Sequence, residues 1–472
     1  MRCVVRRSLI LSLVLAACQF SAPAAGTTDG GGDGGDDDAP ADPDGAPVPC
    51  DVAPTWEAGL QPARTLHVST VPGPAAPDGS PQNPYTSISA AVDAAKTAGP
   101  GTRVLLDGGT YSVGVTFSDL RGTAAAPFWL EGPATGPRAQ LVGAGAGIHL
   151  LRPAYVVLRH LDLASTAQAS VNVDDGGVGG SAHHVVIDDV TVASTAVTAF
   201  QITGVTDVTL RGSTASSCNR GVMLVGVQRA TISRILTAAT TFASVAIAGG
   251  SRDIEVRQSR FENTGFGIRI GGISDANEFR PPLAAPSTGN FEAADVRVFD
   301  NVFAGDIMDA IACLNCTRSL VAHNEIRGVI RSVFRLEQTY AVHPMLSGAA
   351  FAAAGAVRWI DNAVEVAGNP VAMTVASSPL GDAPAVASCA FSHNLWYRRS
   401  PPTSWRPSLP APLTETAGIY DHASGYEDTG RLCAGGGAIG AGVVVPEVAG
   451  TLGGVCRPAP PSIGPSERDP GC

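Results

Sequence analysis

The chain has 472 residues, with 42 acidic and 31 basic side chains and a net charge of −11. That balance excludes the basic footprint of a nucleic-acid binder and gives no broad attraction for anionic polymers, so an acidic ligand needs a local arginine cluster. The length exceeds what one globular core organises, yet it suits a solenoid that grows by adding turns.

In chain order, Arg2, Arg6 and Arg7 precede an apolar run from Leu9 to Ala17. The run is too short to cross a bilayer, and residues 1–17 read as a signal peptide. Leu15-Ala-Ala-Cys18 resembles the lipobox of bacterial lipoproteins. The resemblance implies that Cys18 is acylated and becomes the new amino terminus, with the membrane as partner through a stable lipid anchor. Gln19 stands where an aspartate would favour inner-membrane retention, so the outer membrane or cell surface is the expected location. Ordinary cleavage near Ala25, leaving a secreted protein, is the alternative. Residues 18–49 are rich in Gly, Ala, Pro and Asp, carry seven aspartates, and are expected to form a disordered tether. Without a fixed loop geometry these aspartates read as solvating charges rather than calcium ligands.

Residues 50–400 are expected to form the folded body. Ser87–Ala98 reads as an amphipathic helix, with Ile88, Val92 and Ala95 on one face to plug an open first turn. Lys96, the sole lysine, falls on its polar side as a solvated charge. Nine copies of one alternating pattern then start at Val156, Val185, Val208, Ala230, Ile254, Val296, Ser319, Val357 and Cys389, at intervals of 29, 23, 22, 24, 42, 23, 38 and 32 residues. A period of two within each copy is the strand signature. A second alternating tract follows each corner, as in Val222/Leu224, Val245/Ile247, Ile268/Ile270, Ile311/Cys313 and Phe334/Leu336. A fixed repeat near 23 residues means stacked turns, and the longer intervals mean one turn plus an inserted loop. Asn301, Asn324, Asn362 and Asn394 share one phase, which suits a hydrogen-bonded ladder at a bend; a row of glycan-binding amides is the alternative.

The stretches Asp78 to Ile88, Val104 to Tyr111 and Gly122 to Phe128, together with the repeats, resemble the right-handed parallel β-helix proteins of the pectate-lyase-like superfamily. The likeness runs from Leu66 to Tyr397 and implies an all-β right-handed parallel β-helix of about ten turns with a short amino-terminal capping helix. That superfamily includes lyases, hydrolases, epimerases and non-enzymatic surface proteins, so the fold does not choose an activity. Residues 401–472 are expected to be an irregular segment with disulfides. Its Pro461-Ser-Ile-Gly-Pro-Ser-Glu467 resembles the terminal segment of some anchored bacterial β-helix proteins.

Beyond Cys3 and Cys18, eight cysteines remain, an even number that suggests disulfides of open pairing in an exported protein. Cys433, Cys456 and Cys472 are expected to staple the tail. Cys313-Leu-Asn-Cys316 lacks the second pair a zinc site needs and reads as structural.

The longest interval holds the insertion from Gly271 to Glu292. Arg269, Asp275, Glu278, Arg280 and Glu292 gather there, and Arg335 and Glu337 precede a second insertion containing His343. These seven are the candidate substrate-binding residues, with arginines for carboxylates and Phe279 and Phe291 for pyranose faces. Loop-internal salt bridges are the competing reading. No complete catalytic motif is present: Lys96 is remote from the loop, and Asp174-Asp175 and Asp188-Asp189 supply carboxylate pairs by type alone. Consecutive strand residues alternate, so each doublet is expected to present one carboxylate outward. The expected function is a monomeric surface lipoprotein that binds extracellular or cell-wall polysaccharide without a cofactor or metal. A polysaccharide lyase or glycoside hydrolase and a non-catalytic adhesive stalk are the alternatives.

Overall fold

The computed structural model describes residues 55–469, apart from 113, 144–146, 165–167, 196, 273 and 449. The signal peptide, Cys18, the tether and Cys472 lie outside the described residues.

Every repeat copy is a strand, and each strand pairs in parallel with the same copy one turn on. Val156 faces Val185, Val185 faces Val208, Val208 faces Ala230, Ala230 faces Ile254, and Ile254 faces Val296. The second tract stacks likewise, Val222 on Val245, Val245 on Ile268, Ile268 on Ile311 and Ile311 on Phe334. The result is a parallel β-helix with three sheets. Sheet A carries the copies. Among the described residues, twelve successive pairings link its thirteen strands, from Arg64–Val68 to Glu415–Thr416. Sheet B starts at Gly109–Ser112 and ends at Leu395–Ser400, and sheet C starts at Val115–Ser118 and ends at Val371–Leu380. The stack therefore continues past residue 400, and three turns precede Val156.

Inward side chains fill the interior: Val185, Ile187, Val208, Leu210, Ile254 and Val256 are all buried. Both ends are closed, which protects the unpaired strand edges. At the first turn the helix α1 (Ile88–Ala98) seats Ile88, Ala91, Val92 and Ala95 on the core, and the Ser87 hydroxyl caps it by accepting from the Ala90 N–H. Lys96 sits on the outer side, 3.9 Å from Asp93. At the other end Trp405, Leu409, Leu413 and Tyr420 cover the last turns.

Between sheets A and B the chain bends through one left-handed residue per turn. Asp300, His323, Asp361 and His393 hold φ between 51 and 56°, a conformation costing about 1–2 kcal/mol for each non-glycine residue. The asparagines that follow offset it. Asn301 Nδ2 donates to Asn324 Oδ1 (3.0 Å), Asn324 to Asn362 (2.9 Å) and Asn362 to Asn394 (3.0 Å). Each Oδ1 also accepts a backbone N–H from the turn before. All four asparagines are fully buried, so the row is structural and offers no amide to a glycan. Asn394 ends the ladder on the Glu415 carboxylate at 3.1 and 3.2 Å.

The tail packs over this corner. Buried Arg457 binds Asp300 and, at 3.1 Å, Glu467. The Tyr426 hydroxyl bonds the carbonyls of Ile463 and Ser466, and the Ser462 N–H donates to Glu467 at 3.0 Å. The segment around Ile463 is thus the buried part of an otherwise irregular tail. Cys433 and Cys456 are disulfide-bonded, Cys313 is bonded to Cys316, and Cys218 and Cys389 are buried thiols.

Burial pushes the Glu415 carboxyl up to about 6 and the Asp361 carboxyl up to about 7. Folded-state values above unfolded ones mean that the folded chain holds more protons in this window. Stability therefore rises as pH falls from about 7 to about 4.5, and is lost as pH climbs back. Melting followed by circular dichroism is expected to show that rise, and Glu415→Gln, uncharged throughout, is expected to reduce it. A variant rise equal to that of the parent would exclude the carboxyl as its source.

Candidate functional site

On sheet C the outward positions form a straight lane, because side chains alternate along each strand and turns repeat at about 4.8 Å. Its middle follows Met223, Ala246, Arg269, Ala312 and Arg335, each in register with the next. Beside it, a register shift between Thr240 and Ala243 leaves Phe242 without a paired partner in the next turn. Two guanidinium groups lie against that ring, Arg220 at 4.7 Å and Arg269 at 5.1 Å from its centroid, and Arg269 is also 6.0 Å from the Phe266 ring. Gly272 leaves room for this arrangement, since a Cβ there would stand 2.7 Å from Arg269 Nη2. Among the described residues no carboxylate comes within ion-pair distance of Arg220 or Arg269.

Burial holds the Arg269 guanidinium below its ordinary value; Glu292 and Glu337 act in the opposite sense, and Arg220 and Arg335 reinforce it. Farther along, buried Asp309 binds Arg331 Nε at 2.8 Å and lies 3.9 Å from Arg335, whose Nε reaches Glu337 at 2.8 Å. Four arginines therefore face three carboxylates, Asp309, Glu337 and the buried Glu292, a local excess of positive charge on an acidic chain. At the opposite end of the lane, Thr116 Oγ1 lies 3.2 Å from His149 Nδ1, and His149 Nε2 bonds Asp174. Burial alone would raise the Asp174 carboxyl, but bonds from His149 and the Gly176 N–H outweigh it and hold it below the usual range.

The remaining expected residues are placed elsewhere. Glu292 is fully buried and accepts from the Gly249 N–H (2.9 Å), the Ser274 N–H (2.9 Å), the Ser274 hydroxyl (2.7 Å) and the Tyr340 hydroxyl. It has no surface for a ligand; it holds the two inserted loops together. Arg280 reaches back along the axis to Asp175, at 2.7 and 3.3 Å, and donates to the Asn277 carbonyl. Its loop runs over Gly226 and Gly249, where any Cβ would strike loop or backbone atoms within 3 Å. Asp275 and Glu278 cap the short turn Ala276–Glu278. Phe279 is buried with Tyr340 and Phe351, and Phe291 lies under Arg318, so neither ring joins the lane. The His343 Nε2 is 3.0 Å from the Ser274 carbonyl inside the same lobe. The loops even share a two-stranded sheet, Ser287–Asn290 with Ala349–Phe351.

Asp174-Asp175 keeps the expected alternation, Asp174 partly exposed and Asp175 buried, whereas Asp188-Asp189 does not. Asp188 pairs with Arg211 at 2.8 Å, while Asp189 takes a left-handed turn, φ 51°, and meets Arg138 and His160 at 2.6 and 2.8 Å. Both are partly exposed because the corner breaks the strand period. The lane itself was only partly foreseen: Arg269, Arg335 and Glu337 belong to it, whereas Arg220, Phe242, Phe266 and Asp309 were missed. In-register alignment of the second tract would have put Phe266 and Asp309 at one position. Phe242 carries no such signal, since a bulge sets its place.

Two hollows of about 510 and 480 Å³ lie on sheet A instead. Most charged groups there are already paired. For an anionic ligand the guanidinium groups that lie side by side on a ring decide, and those are Arg220 and Arg269 on sheet C.

Residues 146–280 match the family described as "Right handed beta helix region". Among solved structures the chain is similar to pectate lyase Pel9A, with 15% identity, a TM-score of 0.51, and coverage of 87% of this chain and 98% of that one. It is also similar to XylC in complex with xylose, with 8% identity, a TM-score of 0.51, and coverage of 86% and 99%. No curated protein matches. At these identities the likeness is one of fold: the chain is a right-handed parallel β-helix.

Removing the Arg280 guanidinium leaves the Asp175 carboxylate buried and unpaired, a change that costs about 3 kcal/mol. Arg280→Ala is expected to lower the melting temperature and to admit protease within residues 272–292. A loop cut no faster than in the parent chain would show that the pair does not hold it.

Proposed function

We propose that the chain is a lipid-anchored surface protein whose β-helix binds an acidic polysaccharide along sheet C. The observation that carries this reading is the pair of unneutralised arginines, Arg220 and Arg269, on the faces of Phe242. A uronate carboxylate would complete each guanidinium with charge-assisted bonds, and the exposed parts of Phe242 and Phe266 would take apolar ring faces. The chain as a whole is acidic, so affinity depends on this local excess rather than on net charge. One structural neighbour is a pectate lyase and another was solved with xylose, which supports a carbohydrate ligand.

One observation favours elimination chemistry on the same lane. Arg269, held against the Phe242 and Phe266 rings with no carboxylate partner among the described residues, would stand beside a bound uronate carboxyl, where a guanidinium stabilises the charge that develops as the neighbouring proton leaves. Ultraviolet absorbance of an unsaturated product separates the two readings, and a flat trace confines the site to binding.

Arg269→Ala and Arg220→Ala are each expected to weaken polygalacturonate binding about tenfold, the effect of one charged hydrogen bond, with melting unchanged. Unaltered affinity in both variants would remove sheet C from the role. For the anchor, Cys18→Ser is expected to move the protein from the membrane fraction to the soluble one; unchanged fractionation would count against lipidation.

A further inference from the structure

The outer face of sheet A carries a channel that shares no residue with the sheet C lane. Its two hollows, about 510 and 480 Å³, have Asp253 and Arg297 in common and so lie side by side along the helix axis. Trp56 lines one end and Glu447 the other. Each falls in the range of ligand-sized clefts.

The rim is built from one residue per turn. Asp207, Arg229, Asp253, Asp295 and Arg318 each take a left-handed conformation, φ 50 to 58°, near the start of their sheet A strand, and strand register stacks them in that order. Arg229 holds Asp207 with two bonds of 2.7 Å, and Arg318 holds Asp295 with bonds of 2.8 and 2.7 Å. Arg297 with Glu255 and Arg358 with Glu447 neutralise the walls. Asp253 stands between the two bidentate pairs, exposed, where the hollows meet. Among the described residues no cationic side chain comes within ion-pair distance of it.

We propose that this channel binds a glycan bearing primary amines, an amino-sugar chain, with an ammonium group on Asp253. The wall explains the choice. Four ion pairs leave no net charge for an anionic polymer, and the one free carboxylate repels it. An ammonium group supplies the missing countercharge with three donors, and the paired carboxylates retain lone pairs for neighbouring hydroxyls. The reading is independent of the one for sheet C, so one molecule would hold an acidic chain on one face and an aminated chain on another.

The test is calorimetric titration of the full chain with glucosamine oligomers, using N-acetylglucosamine oligomers of equal length as the uncharged control. The acetylated oligomers are expected to bind about tenfold more weakly, and Asp253→Asn is expected to weaken glucosamine-oligomer binding by a similar factor. Arg269→Ala is expected to leave it unchanged. Equal affinity for the two oligomers, an unaffected Asp253→Asn variant, a loss in Arg269→Ala, or no binding of the aminated oligomer would each overturn the proposal. A melting curve for Asp253→Asn that superposes on the parent ties any loss to the charge.

Discussion

The parallel hydrogen bonding of each turn to the next is the constraint on which everything else in this molecule rests. It satisfies the backbone of a long, mostly buried chain and fixes the spacing between equivalent side chains. Once the register is set, a residue type that recurs in the sequence becomes a row in space. Val185, Val208, Ala230 and Ile254 thereby form a continuous dry interior rather than isolated contacts. The same condition forces sharp corners, and the corners require left-handed residues that are unfavourable for anything but glycine. The asparagine row and the paired aspartates and arginines at those corners give the bends partners that water would otherwise supply.

Charge follows the same rule. Rows on the outside bring like groups close together, and the chain handles this differently on two faces. On the sheet A rim, arginines and acids are interspersed and largely cancel. On sheet C the arginines outnumber the acids, and two of them rest on aromatic rings instead of carboxylates. A guanidinium tolerates this because it is planar, weakly hydrated and attracted to a ring face. The cost is desolvation, visible in the lowered value of Arg269.

What could be read from the sequence was whatever the period exposes. The copies from Val156 to Cys389 stack in the alignment their spacing implies, and the four asparagines meet as their common phase requires. The earliest turns were harder to read. Phe128 to Glu131 is buried on both faces, because Trp56 and Leu60 cover Trp129, so the alternation that marks a strand is lost. Within the site, composition pointed to the inserted loop, and the loop turned out to spend its polar groups on itself and on the scaffold. Glu292 could not be recognised as buried, since its partners Gly249, Ser274 and Tyr340 come from three separate segments. Asp175, the partner of Arg280, lies 105 residues away and has no local signal. Phe242 was hidden because a bulge, not a period, decides where it points.

The insertion leaves sheet C after Gly271 and re-enters sheet A at Ala293, directly over Ser251, without disturbing the pairing of either turn. A detour that returns to the same rung leaves the spine indifferent to what lies between. Descendants of such a chain can lengthen, shorten or exchange these excursions while inheriting the coil intact, and novelty in recognition can accumulate one excursion at a time.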